Sequence, residues 1–275
     1  MAWVVLVSGA SRGYGRALAL AFATKKASAE DGDLHLHLWS RDASGMTATA
    51  AAVTSAWQSN NNHRVHVTQT VVDLSNDASY QPAVDSFLLA VQATSSLDRL
   101  VVVHNAGSLG QVGRIAEVES PQVIQCHMEL NVNSVLWINK RLLQVYGTKA
   151  AAPSPVPLYL VNVSSLNAIE PFATCGLYCV FKAARDMHFR VLAKEEDASR
   201  VKCLNYAPGP MQTNMGNELR DGPATDPALQ RMFKKLLADG TYVSLDVSAR
   251  LCVEHLFGPS LVSGSHIDYY DIHQD

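Results

Sequence analysis

The chain has no C-x-x-C pair, no run of like charges and no stretch near the ~20 apolar residues that span a membrane. Each absence closes off a class of protein. Five cysteines, at 126, 175, 179, 203 and 252, are an odd number without paired spacing. They point away from a disulfide framework and toward reduced core thiols in a cytoplasmic protein. Cys175 and Cys179 lack companion ligands, so no metal centre is expected. A net charge of −3 without a basic stripe argues against nucleic acid and against a membrane surface as partners. Small molecules are the expected ligands. The opening MAWVVLV has neither a basic n-region nor a small-residue cleavage site, and reads as a first strand. Ser164 and Ser165 lack a G-x-S-x-G elbow, which removes the usual setting for serine hydrolysis.

What is present is an ordinary globular balance, 48% hydrophobic and 17% charged over 275 residues, which predicts one α/β domain over 1–275. The apolar run 3–7 suits a strand covered on both faces, and it breaks into SGASRGYGRALALAFA. Strand, glycine loop, helix is the order of a nucleotide site. Gly9, Gly13 and Gly15 let the backbone approach a pyrophosphate, and the free N–H groups of a helix start attract it. Their spacing is GxxxGxG, not the usual GxGxxG.

A second strand over 34–39 alternates through His35 and His37 and ends at Ser40, Arg41 and Asp42. An acid at this strand end would bind a ribose hydroxyl, whereas an arginine accommodates a 2′-phosphate. Arg41, with Arg12 in the glycine loop, favours NADPH, and Asp42 reads as a helix N-cap. A helix over 43–57, a polar turn over 58–63, a strand over 64–72 and a helix over 77–93 follow. Asp73 and Leu74 close that strand, where they either meet an adenine or start the next helix. A fourth strand, 97–103, ends in HNAG, where Asn105, Ala106 and Gly107 let the chain pass close to a cofactor. Residues 120–147 read as one long helix in which Asn131, among apolar neighbours, needs partners for its amide. It either supports Lys182 or caps a helix irregularity. A proline-rich loop over 149–157 leads to a fifth strand, 158–163, and a sixth lies at 201–206. Pro208 and Pro210 then shape a loop at the glycine-turn edge, and the polar segment 216–240 looks mobile, as a substrate lid over 209–240 would be.

Between the fifth and sixth strands lies VNVSSLNAIEPFATCGLYCVFKAARD. Tyr178 and Lys182, four residues apart, share a helix face. A nearby ammonium favours the phenolate and moves the tyrosine pKa toward a working range. Tyr178 can then exchange a proton with a carbonyl or alcohol oxygen, and the Ser165 hydroxyl can hydrogen-bond the same oxygen.

The ordered set SGASRGYGR, HNAG, Asn131, Ser165, Tyr178 with Lys182, and APGPMQT resembles the classical short-chain dehydrogenase/reductase family over essentially the whole chain. The resemblance implies a doubly wound parallel sheet of Rossmann type, with helices on both faces. It places Ser165, Tyr178 and Lys182 in catalysis, with Asn131 as support. It places Gly9, Ser11, Arg12, Gly13, Tyr14, Gly15, Arg41, Asp73, Leu74, Asn105, Ala106, Gly107, Lys182, Pro208, Gly209, Met211 and Thr213 around NADPH. Four stretches, SRGYGR, VNVSSLNAIEPF, LYCVFKAARDM and SGSHIDYYD, resemble a narrower group that reduces a pterin side-chain ketone in tetrahydrobiopterin biosynthesis. They imply a substrate held by Ser165, Tyr178, Gly209, Met215 and Asp268, with Asp268 on the amino-pyrimidine edge. A homodimer or tetramer is implied as well. His104 departs from the family pattern, in which Asn is common. A broad carbonyl reductase would differ only at Asp268 and 209–240. A non-catalytic NADP(H) sensor is disfavoured by the intact Ser, Tyr and Lys set.

Overall fold

The computed structural model describes residues 1–29, 32–58, 63–152 and 154–273. Most of the polar turn expected at 58–63 lies outside them, as does residue 153 of the proline-rich loop. Strand β1, Ala2–Ser8, is buried along its whole length, and its alternation divides two cores. Trp3, Val5 and Val7 enter one and Val4 and Leu6 the other, as a period of two requires of a strand covered on both faces.

The other strands are β2 (Leu34–Ser40), β3 (Val65–Val71), β4 (Leu97–His104), β5 (Leu158–Val163), β6 (Val201–Ala207) and β7 (His266–Asp268). They form one parallel sheet in the order β3-β2-β1-β4-β5-β6-β7. One core packs under α1 (Gly13–Ala29), α2 (Ala43–Gln58) and, from late in the chain, the helix Leu245–Phe257. The other packs under α3 (Asp77–Ala93) and two later helices that carry Ile138 and Phe189. The architecture is thus a doubly wound three-layer α/β fold. No helix among the described residues is long and apolar enough to cross a membrane.

Two expectations need correction. The stretch 120–147 is not one regular helix but α4 (Pro121–Met128), a π-helical turn (Glu129–Asn133) and α5 (Ser134–Tyr146). Asn131 supplies the reason, since its amide Nδ2 donates to the His127 carbonyl at 2.9 Å inside the disturbed turn. Secondly, 216–240 is largely helical, forming α7 (Asn214–Asp221) and α8 (Pro227–Asp239) after α6 (Gly176–Glu195). The polar residues that suggest irregular chain are caps. Thr213 and Asp226 accept from the first turns, and Gly240 ends α8 in the left-handed region at φ 65°. Between α9 (Leu245–Phe257) and α10 (Tyr269–Ile272), His266–Asp268 adds a seventh strand, too short for an alternation pattern.

Buried histidines make this fold acid-sensitive. Burial holds His37 and His188 down to about 4 and His104 down to about 3. Between the ordinary value near ~6.5 and those values the unfolded chain binds the protons and the folded chain does not. The stabilisation is complete above pH ~6.5 and drains as pH falls toward 3–4, by a few kcal/mol per site on the order of ~1.4 per unit. Urea unfolding at neutral pH and at about pH 4.5 should show this loss, with a shallower slope in His104→Asn. An unchanged slope would place the acid sensitivity elsewhere.

Candidate active site

The chain winds outward from β1 in one direction and from β4 in the other, so a crevice opens at the carboxyl ends of these two strands. It is a cleft of about 1060 Å³. At one end the glycine loop folds tightly on the HNAG segment. A Cβ on Gly9, which has φ 67°, would fall 2.9 Å from Asn105 Nδ2, and one on Gly15 would fall 2.2 Å from the Gly9 carbonyl oxygen. These contacts admit only glycine. Asn105 ties the two loops together, its Nδ2 donating to the Ser8 carbonyl at 3.0 Å, while the Ser8 hydroxyl accepts from the Asn105 and Ala106 N–H groups.

Ser11, Arg12, Gly13, Tyr14 and Gly15 line this end of the cleft, with the α1 N-terminus at its floor. Arg41 and Leu74 stand on the neighbouring wall. Two exposed guanidinium groups beside a helix start, on a backbone too close for side chains, fit a phosphorylated dinucleotide. Asp42 does not line the cleft. Its Oδ1 accepts from the Gly45 N–H at 2.9 Å and the Ser44 hydroxyl at 3.0 Å, capping α2. Asp73 is also absent from the lining, because its Oδ1 is held in a local turn by the Ser75 N–H at 2.9 Å and hydroxyl at 2.6 Å.

Ser165, Tyr178 and Lys182 meet at the centre of the cleft. Lys182 is buried and its Nζ donates to the Val163 carbonyl at 2.6 Å, with the ammonium 5.4 Å from the Tyr178 ring centre. Burial pushes the Tyr178 phenol up to about 12, and the Arg185 charge and a hydrogen bond from Ser165 pull the other way. Lys182 is held well below its ordinary value by burial and by Arg185. Burial raises the phenol here, and the charge that most opposes the rise is that of Arg185. Asn131 does not line the cleft; its Oδ1 accepts from the Ser108 N–H at 3.0 Å and its amide serves the π turn. The remaining cofactor and substrate positions, Ala106, Gly107, Pro208, Gly209, Met211, Thr213, Met215 and Asp268, all contribute to the lining. Asp268 also caps α10, accepting from the Tyr270 N–H at 3.0 Å.

Sequence reasoning missed the polar layer beneath these groups. Arg185 is fully buried, and its guanidinium donates to Asn162 Oδ1 at 2.7 Å, to the Ala106 carbonyl at 3.1 Å and to the His104 carbonyl. It thereby ties the HNAG segment and β5 to α6. Asp186 accepts from the Ser164 hydroxyl at 2.5 Å and from Asn162 Nδ2 at 2.9 Å, and pairs with His266 Nδ1 at 2.5 Å. The signal was present as a stripe, since Tyr178, Lys182 and Arg185 follow the i, i+4, i+7 spacing of one helix face.

A parallel sheet with a glycine loop at its switch point and Ser, Tyr and Lys in the adjoining cleft define a dinucleotide-dependent oxidoreductase. The chain belongs to the short chain dehydrogenase family, whose pattern it matches over residues 3–224, and it is an oxidoreductase of a family that uses NAD(P)H. It is 34% identical to the sepiapterin reductase of Xenopus tropicalis over 267 residues, covering 97% of this chain and 95% of that one. A shorter match to the sepiapterin reductase of Xenopus laevis is 40% identical over 174 residues, 63% of this chain and 64% of that one. The fold is similar to that of a short chain dehydrogenase/reductase from Saccharomyces cerevisiae, with a TM-score of 0.75 at 22% identity over 97% and 95% of the two chains.

Proposed function

We propose that this protein is an NADPH-dependent ketone reductase acting on the side-chain carbonyl of sepiapterin or a related pterin, a reaction of tetrahydrobiopterin biosynthesis. The observation that carries this reading is one continuous cleft reaching from the glycine loop and Arg41, past Ser165 and Tyr178, to Asp268. Bound NADPH would supply the hydride. Gly9, Gly13 and Gly15 would cradle its phosphates, and Arg12 and Arg41 would take a 2′-phosphate through charge-assisted hydrogen bonds.

The chain's own residues handle the oxygen. Ser165 donates to the ketone oxygen and orients it, and Tyr178 gives up its proton as negative charge develops there. A phenol held near 12 is the right acid for reduction, since it stays protonated at neutral pH yet is a stronger acid than an alcohol. Lys182 sits beside the resulting phenolate, and Arg185 is a positioning residue that holds the HNAG segment and opposes the rise in the Tyr178 pKa. Residues 209–240, with α7 and α8, form a lid in which Leu219, Leu229 and Phe233 pack in one cluster with Tyr178.

Asp268 supplies pterin selectivity in this reading. A carboxylate accepts two hydrogen bonds from an amino-pyrimidine edge, and a ligand without those donors leaves the charge unpaired. Asp268→Asn should raise KM for sepiapterin strongly, on the order of ~10-fold or more, and change a small diketone's KM much less. Equal losses on both substrates would confine Asp268 to capping α10 and favour a broad carbonyl reductase.

A further inference from the structure

The edge strand β3 contains no fully buried residue, and its apolar packing on the core is confined to the partly buried Val65 and Val67. At its amino end it carries His66, which parallel pairing sets directly against His35 of β2. The two imidazoles stack, with ring centres 4.7 Å apart and planes 17° from parallel. Asp33, two residues before His35, falls on the same face by strand alternation. Its Oδ1 accepts from the Arg64 N–H at 2.9 Å, which fixes the carboxylate at the mouth of β3, and its Oδ2 lies 4.0 Å from His66 Nε2. One ligand atom from each of the three residues lies within 4.8 Å of the other two. Among the described residues neither imidazole has a hydrogen-bond partner.

We propose that Asp33, His35 and His66 form a binding site for a divalent transition metal, of which zinc is the best match, that staples β3 to β2. Two imidazole nitrogens and one carboxylate oxygen are an established zinc donor set, with bonds of about 2.0–2.2 Å. Tetrahedral geometry then places donor atoms roughly 3.3 Å apart, and small side-chain rotations close the remaining gap. Exposure leaves room for such rotations, the His66 and Asp33 side chains being 46% and 40% exposed. Exposure also leaves the fourth position to water. Hard cations that demand oxygen ligands are disfavoured by the two nitrogens. The cluster escapes a spacing search because His66 is 31 residues beyond His35 and only strand register unites them. It lies at the amino end of β2, about 16 Å along the strand from Ser40 at the cleft, taking ~3.3 Å per residue. The metal is therefore structural, and turnover does not depend on it.

The test is calorimetric titration of zinc chloride into tag-free, chelator-stripped full-length chain, with magnesium chloride as a control. The expected result is one saturable zinc site per chain, an upward shift of Tm with zinc, and no response to magnesium. Changes outside the ligand set alone cost 10–100-fold in metal affinity, so His35→Gln and His66→Gln should each cost at least about 100-fold. Both variants should fold and keep reductase activity, since neither imidazole braces the structure through a hydrogen bond. Absence of saturable zinc binding, or equal binding by the His35→Gln, His66→Gln double variant, overturns the proposal.

Discussion

Tyr178→Phe is expected to lower kcat for ketone reduction by about 10³-fold or more while leaving the dissociation constant of NADPH nearly unchanged, in the upper range of what a positioned general acid contributes. Only the hydroxyl is removed. The ring remains packed in the cluster formed by Leu109, Cys175, Leu219, Leu229 and Phe233, so the lid and the fold are retained. The wild-type pH profile should carry a matching signature. Because burial raises Tyr178 to about 12, the acid form predominates throughout the neutral range, and reduction should stay level there and fall only as pH rises toward that value. Single-turnover kinetics with Tyr178→Phe separates the chemical step from product release. Retained turnover would assign the proton to another group and remove the mechanism.

Arg185→Met should have the next largest effect, and on two properties together. The substitution strips the donors from Asn162 Oδ1 and from the Ala106 and His104 carbonyls, all enclosed by α6, β4 and β5. Leaving buried acceptors unpaired costs roughly 1–3 kcal/mol each, so a total on the order of ~3–5 kcal/mol is expected. In a chain of this size that corresponds to a Tm lower by about 10 °C. The HNAG segment also loses its tether, so KM for NADPH should rise and kcat fall. Arg185→Lys retains a charge but not the planar fork, and should recover stability only in part. A purely structural arginine would lower Tm without moving the alkaline limb of the pH profile. If Arg185 opposes the rise in the Tyr178 pKa, that limb moves further up in Arg185→Met and returns in Arg185→Lys.

The contrast between Arg185 and the glycine loop shows what a sequence discloses. Residues 3–7 announce a central strand because burial on both faces requires an unbroken apolar run, and the glycines that follow sit where no side chain fits. The bounds of α3 and β5 were likewise plain, since a helix opening at Asp77 and an apolar run at 158–163 are local signals. Functions that depend on what a residue meets across the fold were not. Asp73 stands at the expected strand end with its carboxylate held by Ser75, and Asn131 serves the helix irregularity that was one of its two readings. The polar composition of 216–240 resembles a mobile segment because cap residues and loop residues are the same amino acids. Burial, and not the four-residue spacing from Lys182, sets the direction of the Tyr178 shift.

In the proposed function the cleft takes a pterin ketone and a phosphorylated reductant together. The most direct measurement is the kcat/KM of the purified chain for sepiapterin and for a small diketone, each with NADPH and with NADH, followed by consumption of the reduced nicotinamide. The account predicts turnover of sepiapterin with a clear preference for NADPH, and a lower kcat/KM for the diketone. Reduction of the diketone without sepiapterin turnover, or a preference for NADH, would contradict it.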